Sequence, residues 1–425
     1  MKKIKLSRRR FLGRAATAAA AMVGFTIIPR RVLGGKGYTP PSEELTKAIV
    51  GVGAMGQNHL HLGGTRLLAV CDVDEKHLQQ TLEVAGKDVK GYRDFREVLD
   101  RPDIDIIHIV TPPHWHALIS IAAAQAGKDI WCEKPMTRTI GEGEKVVEAI
   151  QRHKRIFRVN TWYRFEKEFF RFGSTVASIK KVVDSGILGW PLKVTINTAN
   201  GFDWKFQHCG ERNLVPEPVP PELDYDFWLG PAPYKPYNPN RVHKKFRGYW
   251  DYDGGGLGDM GQHYLDPVQY FLGKDGTSPV EIEVDTYPQD PDAVLPWWRI
   301  EMKYADGCRI ILDGESRDRG AAYLEGPEGK LYRCLESNIP NLREKVQSLA
   351  DPEPQQTDFI EAVRTRKKFI LNEENAHRSC SLVNLDKIAL RTGRNLRFDP
   401  ERQRFVGDED ANRFIFQPMR PPWHL

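Results

Sequence analysis

Between residues 46 and 160, short unbroken apolar runs alternate with segments whose apolar positions recur at helical spacing. The runs at 47–52, 66–71, 104–110, 129–132 and 156–159 read as strands. Those at 54–62, 74–83, 95–99, 117–126 and 141–153 read as helices. Strands that are apolar throughout are buried on both faces, so this stretch predicts an α/β, doubly wound parallel sheet over residues 46–165. After residue 163 the pattern changes. A long helix is expected over 169–185, strands at 191–198, 280–286, 298–304 and 309–313, and helices at 357–364 and 374–391. Asp306-Gly307 marks a hairpin turn between the last two strands. Residues 166–398 therefore predict an α+β domain with a mostly antiparallel sheet, followed by an irregular tail over 399–425.

The first 36 residues stand apart. They hold ten Lys and Arg and no acid, with an apolar stretch behind Ser7-Arg8-Arg9-Arg10-Phe11-Leu12. This resembles a twin-arginine signal, which implies a folded protein passed to the twin-arginine export machinery, periplasmic or exported, and anchored to the membrane if the signal is retained. A short linker at 37–45 follows. Without the signal, the formal net charge of +5 becomes about −5, so the basic balance belongs to the leader. The remainder shows no basic patch with interleaved aromatics, and nucleic acid is not an expected partner. No later apolar run is long enough to span a bilayer. The six cysteines lack C-x-x-C spacing, which argues against a zinc site and for reduced, buried thiols.

Four constellations carry chemistry. Gly51-Val52-Gly53-Ala54-Met55-Gly56 is a G-x-G-x-x-G turn between an apolar strand and a helix, a dinucleotide (Rossmann) fingerprint. Asp72, at the end of the next strand, is placed to accept ribose hydroxyls, which favours NAD over NADP. Thr111-Pro112-Pro113-His114-Trp115-His116 follows the 104–110 strand at the sheet's carboxyl edge, where such sheets bind ligands, so Thr111, Pro112, His114 and His116 are expected beside the cofactor rather than around a metal. Glu133-Lys134-Pro135 ends the 129–132 strand at the same edge. Lys134 there could bond a substrate hydroxyl, although from the tripeptide alone a solvated surface lysine is the better reading. Finally, Asp253-Gly254-Gly255-Gly256-Leu257-Gly258-Asp259 leads into a helix on which Asp259 and His263 share a face, with Asp266 one turn on. A carboxylate beside an imidazole suits acid–base work. A helix-capping Asp259 with a packed His263, or a metal pair, remain alternatives at this level.

With these motifs assembled, the chain resembles the glucose-fructose oxidoreductase and inositol dehydrogenase family, Gfo/Idh/MocA, over nearly everything after the leader. The resemblance implies a Rossmann domain joined to an α+β domain with a large open sheet, and an active site between them. It also implies catalytic roles for Lys134, Asp259 and His263, with Glu133 beside the cofactor. Trp162, Tyr163, Arg164, Arg247, Tyr249 and Trp250 are candidates for a sugar pocket, since aromatic faces stack on sugar C–H surfaces and Arg holds hydroxyls. The implied reaction is hydride exchange between a sugar, glycoside or polyol hydroxyl carbon and a nicotinamide, with no metal. The cofactor would be loaded before export and kept bound. A glycosidase or lyase working through transient oxidation, and a non-catalytic NAD-dependent sugar-binding protein, are the rival readings. Edge association of the open sheet suggests a homo-oligomer.

Overall fold

Strand β1 (Thr46–Val50) is buried at every position and lies at the centre of a six-stranded sheet. The computed structural model describes residues 43–425 apart from 162, 166, 167 and 170, so the twin-arginine segment, most of the linker and Trp162 lie outside the described residues. From β1 the chain runs through α1 (Ala54–His59), β2 (Arg66–Cys71), α2 (Glu75–Ala85), β3 (Lys90–Tyr92) and α3 (Phe95–Leu99). It continues through β4 (Ile106–Ile109), α4 (His116–Gln125), β5 (Asp129–Cys132), α5 (Ile140–His153) and β6 (Phe157–Val159). The order is β3-β2-β1-β4-β5-β6, all parallel, so the sheet reverses direction between β1 and β4. Ligands of such sheets sit outside the carboxyl ends at that switch point. The pattern anticipated five of these strands; β3 is three residues long and half exposed, too short for an apolar run to announce it.

The second half contains α6 (Val176–Asp184), β7 (Lys193–Ile196), α7 (Tyr225–Leu229), α8 (Gly255–Phe271), β8 (Glu281–Thr286), β9 (Trp297–Lys303) and β10 (Arg309–Asp313). Then come β11 (Leu324–Glu325), β12 (Lys330–Leu331), α9 (Leu342–Ser348), α10 (Phe359–Thr365), α11 (Glu373–Thr392), β13 (Leu396–Asp399), β14 (Arg404–Phe405) and α12 (Glu409–Asn412). Its eight strands follow the order β12-β11-β7-β10-β9-β8-β13-β14 and are antiparallel except for β7 with β10. The β9–β10 hairpin turns at Asp306-Gly307, where Gly307 has φ +89°.

Two expectations are corrected. The helix expected over 169–185 begins only at Val176, because Gly173 has φ +78° and Thr175 caps the helix by accepting from Ser178 N. Phe169 and Phe172 instead turn into the core beside Tyr323. The tail is not irregular throughout, since β14 and α12 extend the large sheet's edge and Trp423 stacks on Phe227 at 5.5 Å. The described cysteines are free thiols, but Cys334 is exposed and Cys209 only half-buried rather than both buried as expected.

Helix α11 ties the two sheets together. Asn372 caps its start, Gly393 in the left-handed region ends it, and its buried side chains serve two cores. Ala376 and Cys380 pack with the parallel sheet, whereas Leu382, Leu385 and Ile388 pack with the antiparallel one. Helix α11 packs on α5, β6 and α8, and Gln262 of α8 donates to Ala376 O at 2.9 Å and accepts from Met136 N at 2.8 Å, which holds the Lys134 turn against α8.

Candidate active site

A cleft of about 1030 Å³ runs from the glycine turn after β1 to the start of α8. Gly51 has φ +89°, and a Cβ there would lie 2.7 Å from the Val110 carbonyl, so only glycine permits this close passage of β1 past β4. Asp72 accepts from Val52 N at 2.8 Å and from Asp74 N at 2.9 Å, joining the glycine turn to the end of β2. Burial raises its proton affinity against those two bonds. Gly51, Gly53, Ala54, Met55, Asp72, Thr111, Pro112 and Glu133 all line the cleft, while Gly56 packs against the Gly51 carbonyl. This is a cradle of the size and shape that a dinucleotide needs.

His114 and His116 are corrected: neither ring faces the cleft. Each is 1 % exposed and bonded to backbone carbonyls beneath its floor. His114 Nε2 donates to Trp228 O at 3.0 Å, and burial pulls its pKa down to about 3. His116 lies 2.8 Å from both Pro135 O and Thr111 O, bracing the Lys134-Pro135 turn against the Thr111 loop. Burial keeps this ring neutral, so only one of its nitrogens donates.

At the other end of the cleft, Lys134 Nζ donates to Asp259 O at 2.7 Å and to Asp259 Oδ1 at 2.9 Å. Arg247 Nε donates to the same Oδ1 at 2.8 Å, and Lys205 Nζ and His208 Nδ1 each stand 3.5 Å from Oδ2. Burial works against the Asp259 charge, but Lys134 and Arg247 overcome it and hold the carboxyl far below the usual carboxylate range. Asp259 is thus the anchor of a cluster of cations, neither a helix cap nor, as the spacing suggested, chiefly a partner for His263. His263 lines the cleft edge-to-face with Tyr163 at 5.4 Å; burial, reinforced by Lys134, brings its pKa down to about 3, so the ring is neutral at pH 7.

Glu133 receives His59 Nε2 at 2.8 Å and Asn160 Nδ2 at 2.5 Å. Burial disfavours its charge, yet the His59 bond and the nearby Lys134 ammonium keep it ionised. Beyond it, His59 and His108 meet at 3.0 Å, a buried polar chain that braces the floor beneath Lys134.

Two sugar-pocket candidates are corrected, and a third residue goes with them. Arg164 is 3 % exposed and buried in bidentate bonds to Asp266, at 2.7 and 2.9 Å, and to Asp275, at 2.6 and 2.7 Å. Its geometry is that of a strut between the chain after β6 and helix α8. Trp250 is 1 % exposed, donates to Asp290 O at 3.0 Å and lies outside the cleft, as does Tyr249 under the Arg241 guanidinium. Of that set, Tyr163 and Arg247 reach the cleft.

Three cleft residues escaped the sequence reading. Lys205 and His208 sit in a segment without periodicity, and Lys205 adopts φ +49°. Asp253 directly precedes the glycine run and is 2 % exposed; its Oδ1 has no hydrogen-bond partner among the described residues. Burial, with the Asp259 charge adding to it, pushes its carboxyl up to about 7. A Cβ on Gly258 would come within 2.2 Å of that oxygen, so the glycine run is what lets Asp253 tuck under the start of α8. A signal existed in the sequence, an acid abutting glycines, but nothing there told which way it faced.

Where the cleft passes the end of β2, Asp74, His77 and His243 bring one ligand-type atom each within 4.8 Å of one another. Asp74 Oδ1 caps α2 while its Oδ2 faces His243 Nε2 at 3.5 Å, and the two imidazoles meet edge-to-face. Together with the Asp224 N to Val73 O bond, this clasps the segment around α7 to the end of β2.

Comparison with known proteins agrees with this geometry. Residues 45–161 match the GFO/IDH/MocA model described as oxidoreductase family, NAD-binding Rossmann fold; residues 172–425 match the oxidoreductase family C-terminal alpha/beta domain. The chain is similar to inositol 2-dehydrogenase of Salmonella typhimurium, 30 % identical over 200 residues covering 45 % of this chain and 56 % of that protein. It is also similar to a glycosyl hydrolase family 109 protein of Shewanella pealeana, 27 % identical over 172 residues covering 35 % and 38 % respectively. The chain spans about half the length of the curated dehydrogenases it matches. Among solved structures, the WlbA dehydrogenase of Bordetella pertussis, in complex with NADH and UDP-GlcNAcA, shares the fold at TM-score 0.56 and 16 % identity, over 84 % of this chain and 99 % of that one.

Proposed function

Because the chain belongs to the GFO/IDH/MocA oxidoreductase family, we propose that it exchanges hydride between a sugar or polyol hydroxyl carbon and NAD. The observation that carries this is the Lys134 ammonium, pinned on Asp259 and sharing one cleft with His263 and the glycine turn. The Gly51–Gly56 turn and Asp72 would hold NAD, which when bound supplies the hydride acceptor. Lys134 Nζ donates to the reacting oxygen and stabilises the negative charge that grows there as its proton leaves. His263, neutral at pH 7, takes up that proton in the oxidative direction and returns it in the reverse. Asp259 acts through Lys134 by fixing where its ammonium points.

Replacing Lys134 by Met tests this. NAD affinity should stay within a few-fold while turnover falls by about 10²–10⁴, the usual share of a positioned proton donor. Turnover equal to wild type refutes the assignment.

A second reading is favoured by Asp253. Unlike His263, whose pKa is about 3, Asp253 is pushed up to about 7, which gives the site a group able to exchange a proton near neutral pH. That is the equipment for transient oxidation followed by elimination of a glycosidic bond, with NAD regenerated. Release of free sugar from aryl glycosides without net NADH selects this reading; stoichiometric NADH selects the first. The Ser7–Leu12 motif supports export of the folded protein, with NAD loaded beforehand.

A further inference from the structure

We propose that the sugar taken by this cleft carries a carboxylate close to the carbon that is oxidised, making the substrate class a sugar acid rather than a neutral sugar. The inference rests on the hydride-transfer reading and names the substrate of the same site.

The argument is one of charge and direction. Three cations, Lys134, Lys205 and Arg247, converge on a single carboxylate, Asp259. Two more acids stand near them: Glu133, ionised and bonded to His59 and Asn160, and Asp253, whose carboxyl burial and the Asp259 charge push up to about 7. The imidazoles of His208 and His263 are neutral, both depressed chiefly by burial. The pocket end therefore carries more positive than negative charge inside a partly desolvated cleft, where an unmatched charge is costly. A structural ion-pair cluster would be expected to balance.

Two of these cations also have spare bonding capacity that faces the cleft. Arg247 spends only Nε on Asp259; among the described residues its terminal nitrogens have no hydrogen-bond partner, and its side chain is 22 % exposed. A guanidinium edge of this kind matches a carboxylate in a planar, two-point contact. Lys205 reaches Asp259 only at 3.5 Å, the long end of a contact, with its side chain 35 % exposed. Its backbone is held in the left-handed region, a strained setting for a lysine, with Lys205 N donating to Asp203 Oδ1 at 2.8 Å. Strain that orients a half-engaged ammonium into a cleft fits a ligand contact better than a structural one.

The pyrophosphate of the cofactor does not account for this surplus. Its place is the glycine turn, whereas Lys134 and Arg247 meet at Asp259 on α8. Lys134 serves the reacting hydroxyl, which leaves Lys205 and Arg247 for a second, anionic substituent of the same molecule.

The test uses the full chain with NAD added and matched pairs of sugars, glucose with glucuronate and galactose with galacturonate. Expected is a kcat/KM for the acid at least about tenfold above its neutral partner, the equivalent of one good charge contact, and falling as salt is raised. Lys205→Gln should cut that acid-to-neutral ratio by about tenfold and Lys205→Arg should restore much of it. Equal kcat/KM for both members of each pair overturns the inference while leaving hydride transfer intact. So does a Lys205→Gln variant that weakens NAD binding and lowers both substrates alike, because the cation then belongs to the cofactor. Binding is read separately, from the fluorescence of bound NADH. If no sugar is turned over but glucuronate binds tighter than glucose, the anion site stands and the redox reading fails; equal binding of the two overturns the anion site.

Discussion

Substituting Asp259 by Asn removes the carboxylate charge that Lys134, Arg247 and Lys205 share while keeping the side chain's shape. The Lys134 and Asp259 side chains are 9 % and 6 % exposed, so solvent screens their pairing little. Breaking a buried pair by removing one partner costs about 3–5 kcal/mol, because the remaining charge is left uncompensated. The low end is expected here, since Arg247 and Lys205 are partly exposed and can turn toward water. The measurement is urea unfolding of residues 37–425, with the midpoint falling at an unchanged slope by the equivalent of about 3 kcal/mol. The sign with pH is fixed by the depressed folded-state pKa of Asp259. Its contribution is fully present above the unfolded value of about 3.9 and is lost only as pH falls through the folded value. The stability gap between wild type and variant should therefore persist from pH 5 to pH 8 and close only in strong acid; because the Asp259 charge also helps raise Asp253, the gap should be somewhat wider at pH 5 than at pH 8. Turnover should fall by about 10² or more, as Lys134 loses its bearing. A gap below about 1 kcal/mol, or one that shrinks between pH 8 and pH 6, refutes the view that Asp259 is the ionised anchor of this cluster.

Two further outcomes follow from the same geometry. Asp253 has its folded pKa raised to about 7, so its contribution is fully present below the unfolded value of about 3.9 and is lost progressively as pH rises from there to the folded value. Asp253→Asn should remove this decline, giving a protein relatively more stable at pH 8, and should flatten any limb of the kcat profile near pH 7; an unchanged profile excludes it from proton transfer. Arg164→Met should destabilise by about 3–5 kcal/mol, since Asp266 is left buried and unpaired, while KM for sugar stays unchanged in the folded fraction. A selective rise in KM without loss of stability would return Arg164 to the pocket.

Much of the cleft was legible because its signals are local. Gly51, Gly53 and Gly56 follow a strand and open a helix, Asp72 ends the next strand, and Lys134 ends the fifth; the parallel order then carries all of them to one sheet edge. Asp259 and His263 were legible as a helical pair, yet what Asp259 bonds was not, because Lys134 lies 125 positions away in sequence. Arg164 and Trp250 misled for a related reason: a polar or aromatic residue near a motif looks the same whether it faces a ligand or a buried aspartate. Lys205, His208 and Asp253 gave no periodic signal at all.

By itself, then, the sequence determined the parallel Rossmann half, its dinucleotide turn and the α+β character of the remainder, because periodicity, turn residues and strand-end motifs act over a few residues of chain. Only the tertiary structure decided which side chains share the cleft, which are struts beneath it and where positive charge is left over. Those properties depend on burial and on contacts made when α11 packs α5, β6 and α8 together, and no local stretch of chain contains them.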